Sequence, residues 1–511
     1  MEMITTNLQM VKVLRVVSRT SVEQYRNNKT KSISEIAKEL DVNYIIEGSG
    51  QKYGNSFSVT TQLIKAKGKE THLWAKTYDQ EIKEVNDYIR IQSQIAQAVA
   101  SELKATITPE EKQLIEKTPT TSLTAYDFYQ IGREELTKYE SDTRNKTALQ
   151  KADDLFHKAL KYDSTFAQAY IGLAQVYWGR HSSANEYYSE NYGDSVLILC
   201  NIALSFDNKL AEAYIVRGRY YMYKGIINKA SDDFDKALKI NPNSWEVYYT
   251  RGLIYINDDF VNSIDNYQKA ASLNHGSILP NILRTISWQY SNVGFKDKAQ
   301  YYNLEALKLD NDSAIYFSFL GSFEDKQGNY ETAIEFLRKG YAIDSTMSLI
   351  SLGYDYYFLG QFKESLKYYK KFVENMKAHG SFNITDMHRI GYAYWANGYN
   401  KEAEYYFDKQ LEYSKNENKL SRLYGQGLFP YYDIAGVYAF RGDKVKACEN
   451  LKLFNQRQRM PIWFVNQIKN EPLFNSIRNE PEFQQIVRDV EAKYQAEHER
   501  VRKWLEETGQ L

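Results

Sequence analysis

Tyr214 to Pro242 reads YIVRGRYYMYKGIINKASDDFDKALKINP, and two helices joined by a tight turn are legible in it. Tyr214, Gly218 and Tyr221 recur at helical spacing before Gly225, and Ala230, Phe234 and Ala237 do so after it. Pro242 closes the second helix. Aromatic and small residues placed in this way must meet where two antiparallel helices cross closely. Neither helix buries its apolar face without a further pair beside it.

Related pairs extend outward from this stretch, from about Tyr126 to about Phe454, at roughly the 34-residue period of a helical repeat. Phe128, Ile131 and Gly132 are answered by Ala152, Phe156 and Ala159, and Tyr170, Leu173, Ala174 and Tyr177 begin the next pair, with a polar insertion at Arg180 to Asp194. Later pairs keep the pattern through Gly252 and Tyr267, Tyr290 and Ala299, Gly321 and Ala333, Gly353 and Gly360, Gly391 and Phe407, and Ala435 and Ala447. The spacing resembles that of the tetratricopeptide repeat (TPR). The resemblance implies a mostly α chain, an α-solenoid of about nine helix pairs whose first helices line an open concave face.

Composition agrees with a folded array. The 511 residues exceed one ordinary core, and 43% apolar, 14% aromatic and 25% charged content is that of a chain able to bury what it must. Lys and Arg total 65, as do Asp and Glu, so no global field points to nucleic acid or an acidic membrane. Cys200 and Cys448 stand far apart with no second cysteine nearby, and buried free thiols are expected. No run approaches the roughly 18 apolar residues of a membrane span, and Met1 to Met10 lacks a signal peptide's pattern.

The first hundred residues depart from the repeat. Leu14 to Thr20 alternates like a strand, and Ser32 to Leu40 reads as a helix with Ser32 as cap and Glu35 three residues on. Tyr44 to Glu47, Phe57 to Ile64 and His72 to Tyr78 read as strands, Gly48-Ser49-Gly50 as a turn and Ile89 to Ile107 as an amphipathic helix. Val16-Val17-Ser18-Arg19-Thr20-Ser21, Glu35 to Leu40, Tyr44 to Ser49, Thr61 to Ile64 and His72 to Asp79 together resemble the TolB amino-terminal-like domain that precedes TPR arrays in many bacterial regulatory proteins. That family opens with a further strand, which is expected to be missing here, so that the chain would be a shortened or partial one. The resemblance also implies a helix-turn-helix, cyclase or kinase domain upstream, sometimes with a membrane span between, none of which these residues contain.

The expected organisation is therefore a TolB-like α/β domain over 1–106, a linker over 107–123, a TPR superhelix over 124–457 and capping helices over 458–511. In the last stretch Glu471-Pro472 and Glu480-Pro481 each place proline at a helix start, and these helices would cap the exposed end of the array.

Catalysis needs a nucleophile, a base and charge stabilisers within reach, and no motif here announces such a set. The histidines lack the i,i+4 pairing of metal ligands on one helical face. The expectation is a non-enzymatic chain with no cofactor and no metal. Asp153, Asp154, Asp232 and Asp233 read as solvated faces, and Arg217 and Arg251 as structural cations. Function falls to the concave face, where one, five and eight residues on from each leading signal stand Arg219, Met222, Tyr249, Arg284, Trp288, Ser318, Ser322, His388, Tyr392 and Trp395. Aromatic and arginine side chains suit a peptide-binding hot spot. The reading is a protein–protein interaction scaffold taking a peptide or helix of a partner, without direct nucleic-acid binding and with self-association left open. The alternative is the sensory or oligomerising portion of a transcription regulator or signalling protein. A cytoplasmic setting is expected, or the periplasmic face of a longer, membrane-anchored protein.

Overall fold

The computed structural model describes residues 2–18, 21–22, 25, 31–54, 56–141, 145–182, 192–256, 258–276, 278–378, 386–420 and 428–511. They form two compact units, one made of Met1–Tyr221, Ile226–Tyr248 and Lys269–Ile278, the other of Met222–Gly225, Tyr249–Gln268 and Leu279–Leu511.

The first unit opens with α1 (Glu2–Gln9) and α2 (Ile33–Glu39), followed by antiparallel strands β1 (Tyr44–Tyr53), β2 (Ser56–Lys65) and β3 (Thr71–Glu81) in the order β1-β2-β3, and then α3 (Val85–Glu102). Ser32 caps α2 as its sequence predicts: its hydroxyl accepts from Glu35 N, and the Glu35 carboxylate accepts from Ser32 N at 2.7 Å. Ile91, Ile95 and Val99 of α3 bury against Val59, Leu63 and Tyr78 of the sheet and Ile4 and Leu8 of α1.

Three local expectations need correction. Gly48-Ser49-Gly50 is not a turn but the middle of β1, with Gly48 opposite Thr61 and Gly50 opposite Val59. A Cβ at Gly50 would lie 3.3 Å from the Phe57 ring, so glycine there leaves room for the ring. The chain reverses only after Gly54, whose φ of 59° glycine adopts freely. Leu14–Ser18 is no strand either; Arg19 and Thr20 lie outside the described residues. Its backbone is satisfied within the unit by other means, Ser18 N donating to Leu273 O at 3.1 Å and Leu14 O accepting from Asn243 Nδ2 at 3.0 Å, so it needs no partner strand. Finally, α3 stops at Glu102, short of Ile107, with Lys104 in the left-handed region. A short helix, α4 (Pro109–Ile115), follows within the stretch read as a linker.

Helix pairs α5 (Leu123–Ser141) and α6 (Lys146–Tyr162), α7 (Ala167–Ser182) and α8 (Tyr192–Phe206), and α9 (Ala211–Tyr223) and α10 (Ile227–Ile240) come next. The polar insertion falls largely on 183–191, outside the described residues. A Cβ at Gly132 or Gly172 would stand 2.8 or 2.6 Å from the buried Phe156 ring, so one ring wedges its own pair against the next. The quoted stretch repeats this device, with Gly218 under Phe234 at 2.6 Å. Asp232 is exposed as expected, but Asp233 is not a solvated residue: Arg217 Nε and Nη2 donate to its two oxygens at 2.7 and 2.8 Å and bury it. Arg217 has the structural role expected of it.

The second unit takes in parts of α11 (Trp245–Tyr255) and α12 (Phe260–Leu273). It continues with α13 (Leu279–Asn292), α14 (Lys296–Asp310), α15 (Ser313–Lys326), α16 (Tyr330–Ile343), α17 (Leu349–Phe358), α18 (Phe362–Ala378), α19 (Met387–Ala396), α20 (Asn400–Leu420), α21 (Phe429–Phe440) and α22 (Lys444–Phe454). The close crossing persists in Gly252 under Tyr267, Gly353 under Tyr369 and Gly391 under Phe407. Nine helix pairs thus stand among the described residues, as the period predicts. Beyond them are α23 (Ile462–Asn470), a 3-10 turn at Pro472–Phe474 and α24 (Pro481–Glu507). Phe464, Ile468, Phe474, Phe483 and Val490 from this tail share one core with Tyr432, Leu451 and Phe454 of the last pair.

Candidate functional site

Most of the residues placed on the interaction face by their spacing are engaged within the chain. In the first unit Arg219 is half-buried; burial pulls its pKa down, and Glu246 and Glu140 oppose that pull. In the second, Met222 is half-buried and Tyr249 packs edge-on against Tyr267 with centroids 5.4 Å apart. Arg284 is buried and forks onto Asp310 at 2.7 and 3.0 Å. Trp288 lies edge-on to Phe319, with the Lys326 ammonium nitrogen 2.9 Å above its ring. Ser318 Oγ donates to Ala314 O at 2.9 Å and also meets Ser348 Oγ, while Ser322 is half-buried.

His388 is buried and neutral. Burial, aided by Arg389, pushes its pKa well below the usual range; Nδ1 donates to Gln410 Oε1 at 3.0 Å, and the unprotonated Nε2 stands 3.7 Å from Asp433 without an ion pair. Tyr392 is buried among Tyr357, Phe362 and Phe440. Trp395 differs. It stays 45% exposed, packed against the Tyr392 and Phe440 rings, each 5.1 Å from it.

The chain's own tail engages a further set of residues on this face. Besides covering the last pair, it lies along the face formed by the first helices α15, α17, α19 and α21. Asn466 Nδ2 donates to Lys326 O at 2.5 Å, Gln467 Nε2 donates to the Tyr354 hydroxyl at 2.6 Å, and Leu473 packs on Gly436. At the centre Glu471, fully buried, accepts from Arg389 Nε at 2.9 Å and from the Tyr357 hydroxyl. Arg389 also donates to Asp386 at 2.5 Å and to Gln467 at 3.3 Å. Burial opposes the guanidinium's charge, but Glu471 and Asp386 outweigh it and raise its pKa well above the usual range.

A guanidinium on a carboxylate, with amide side-chain contacts beside it, is how a surface reads an acidic peptide. Here the peptide is the chain's own. Sequence spacing missed Tyr354, Tyr357, Arg389, Gln467 and Glu471. The one hint was Glu471 before a proline, which was read as helix punctuation.

Beside this seam stand two neighbouring carboxyls, Asp355 and the half-buried Asp325. Asp355 is fully buried with neither oxygen hydrogen-bonded, and burial together with Asp325 pushes its pKa well up. Burial also raises Asp325 to about 7, against the opposing charge of Lys326. Both acids therefore hold protons far more readily than in water.

Comparison with known proteins bears on the repeats. Residues 211–244 match one tetratricopeptide repeat model, and 316–346 and 387–417 match another. A protein of Rhizobium meliloti named as an adenylate cyclase is 27% identical over 175 residues, 34% of this chain and 28% of that protein. A TPR repeat-containing protein of Methanocaldococcus jannaschii is 22% identical over 299 residues, 58% of this chain and 47% of that one. The chain thus spans less than half the length of either relative. Among solved structures, a tetratricopeptide repeat protein from Parabacteroides merdae is 16% identical with a TM-score of 0.38, covering 53% of this chain and 99% of that one. YrrB, described as a TPR protein with an unusual peptide-binding site, is 23% identical with a TM-score of 0.29, covering 37% of this chain and 92% of that one. No helix among the described residues is long and apolar enough to cross a membrane. Period, helix pairing and matched models agree: the chain carries a tetratricopeptide repeat array.

Proposed function

We propose that the protein is a non-enzymatic interaction scaffold whose partner docks around Trp395 and not at Arg284 and Trp288. The observation behind this reading is the contrast just described. Arg284 is committed to Asp310 and the neighbouring first-helix face to the tail, whereas Trp395 presents a large apolar ring that the fold leaves 45% exposed. A half-exposed tryptophan packed against Tyr392 and Phe440 offers contact area with little further ordering cost. The partner is a peptide or helix with an apolar anchor. Trp395→Ala should abolish recovery of a partner by the purified chain while leaving its melting temperature unchanged. Recovery undiminished by that substitution would reject the assignment.

A second reading is favoured by the likeness to a protein named as an adenylate cyclase. In it, residues 1–106 are a TolB amino-terminal-like domain and the array senses or oligomerises on behalf of an output domain encoded upstream. The three antiparallel strands packed on α3 are compatible with that resemblance. Reading the gene ahead of Met1 tests it: an in-frame helix-turn-helix, cyclase or kinase sequence supports it, and a stop codon there rejects its single-chain form.

A further inference from the structure

In the first unit β1 is an edge strand. It pairs with β2 alone, and among the described residues Tyr44–Tyr53 makes no backbone hydrogen bond to any other segment. Its outward row of N–H and C=O groups is open to a further strand. A cavity of about 1270 Å³ runs along that edge. Every residue from 43 to 50 lines it, whereas β2 contributes only Thr60, Gln62 and Leu63, and no described residue of β3 reaches it. Side chains of a strand alternate between its faces, so eight consecutive residues meet one cavity only where it follows the strand's edge. The far wall is the run 13–17, tied to the repeats by Asn243, whose Nδ2 donates to Leu14 O at 3.0 Å and whose Oδ1 accepts from Val16 N at 3.4 Å.

Ile4 and Leu8 of α1, Ile33 and Ile36 of α2 and Val99 of α3 make the remaining walls aliphatic. Val13 and Tyr44, 66% and 39% exposed, both stand at this groove and leave apolar surface uncovered there. The open ladder calls for an extended backbone, and the walls call for aliphatic side chains. The volume also exceeds the roughly 300–1,000 Å³ of ordinary small-ligand sites. We propose that this groove docks an extended aliphatic segment of a partner protein, about six residues long, which joins the sheet as a further strand beside β1. Main-chain hydrogen bonds to β1 supply affinity, and the fit of its side chains between α1, α2 and α3 supplies specificity. The site does not rest on the partner surface at Trp395.

The test titrates the full chain with a synthetic peptide of alternating valine and isoleucine, about six residues flanked by lysine for solubility. The peptide should raise the melting temperature saturably and slow hydrogen exchange at alternate amides of β1, those pointing away from β2. The same peptide with proline at two central positions loses ladder donors and should bind at least about tenfold more weakly. Val13→Asp, at an exposed position, and Ile33→Asp, at a half-buried one, place charge in the groove. Each should weaken the valine–isoleucine peptide by about tenfold or more, and Val13→Asp should do so with the melting temperature of the free chain unchanged. Absence of binding, equal binding of the proline peptide, or binding without slower exchange in β1 would overturn the proposal. So would two other occupants. Dodecanoate binding that Val13→Asp weakens, with the peptide inert, makes the groove a lipid site, and slowed exchange in β1 on concentrating the chain alone assigns the edge to a second copy.

Discussion

Arg389 and Glu471 meet in the interior of the second unit, Nε to Oε2 at 2.9 Å, with their side chains 4% and 0% exposed. The contact joins the first helix of a repeat to the chain's own tail, and it makes that tail an internal ligand of the array. A charge buried so completely persists only because its partner is present.

Breaking that pair should be costly. Arg389→Ala leaves the buried Glu471 without its cation and is expected to destabilise the intact chain by about 3–5 kcal/mol, whereas Glu471→Ala leaves Arg389 its contact with Asp386 and should cost less. Replacing both with apolar residues of similar volume, as in Arg389→Met with Glu471→Leu, should cost far less than the two single losses combined. Urea unfolding of the three variants measures this. A cost under about 1 kcal/mol for Arg389→Ala would show that the pair does not hold the tail.

The close helix crossing predicts a second cost. A methyl group at Gly218 would lie 2.6 Å from the Phe234 ring, inside van der Waals contact. Gly218→Ala should destabilise by roughly 1–3 kcal/mol through overpacking, and Phe234→Leu in the same chain should recover part of the loss. Thermal unfolding of both variants checks it, and a neutral Gly218→Ala would contradict the crossing distance.

Stability should depend on pH through Asp325. Burial raises its folded-state pKa to about 7, whereas an unfolded aspartate titrates near about 3.9. Between those values the folded chain binds a proton that the unfolded chain does not. The stability contributed is therefore full below about pH 4, falls as pH rises toward 7 and falls no further above it. Asp325→Asn keeps the shape and removes the titration. Its melting temperature should exceed the parent's at pH 8 and drop less between pH 5 and pH 8; parallel profiles would remove Asp325 from the account.

Cys200 should be chemically silent in the folded chain. It is fully buried, and burial pushes its thiol up to about 12, far from the thiolate that reacts. An aromatic disulfide reagent at pH 8 should label Cys200 only at the rate of unfolding, with mass spectrometry locating the label. Immediate labelling of native protein at Cys200 would show that α8 opens readily.

The repeat was legible because a helix crossing at close range tolerates few residue types. Gly218, Phe234 and Ala237 sit on contacts made within one pair, and such local geometry leaves a periodic trace in the chain. The same holds for Ser32 and Glu35, whose reciprocal cap involves neighbours in sequence. The misreadings turn on partners, near or far in sequence, that no periodic signal names. Asp233 looked like a surface carboxylate until Arg217 folded over it, and Gly48 to Gly50 looked like a turn until β2 came alongside. Leu14 to Ser18 alternated like a strand, yet its partners, Asn243 and Leu273, stand far along the chain.

From the amino-acid sequence alone came the kind of element, the number of helix pairs and the residues on which they cross, because periodicity and close packing are consequences of neighbouring residues. Which of the first-helix residues stay exposed was decided only by tertiary structure. Glu471 reaches Arg389 across more than two helix pairs of chain, and nothing in the local pattern at either end encodes that meeting. It is a long-range burial, and its driving force exists only once the tail has folded back onto the repeats.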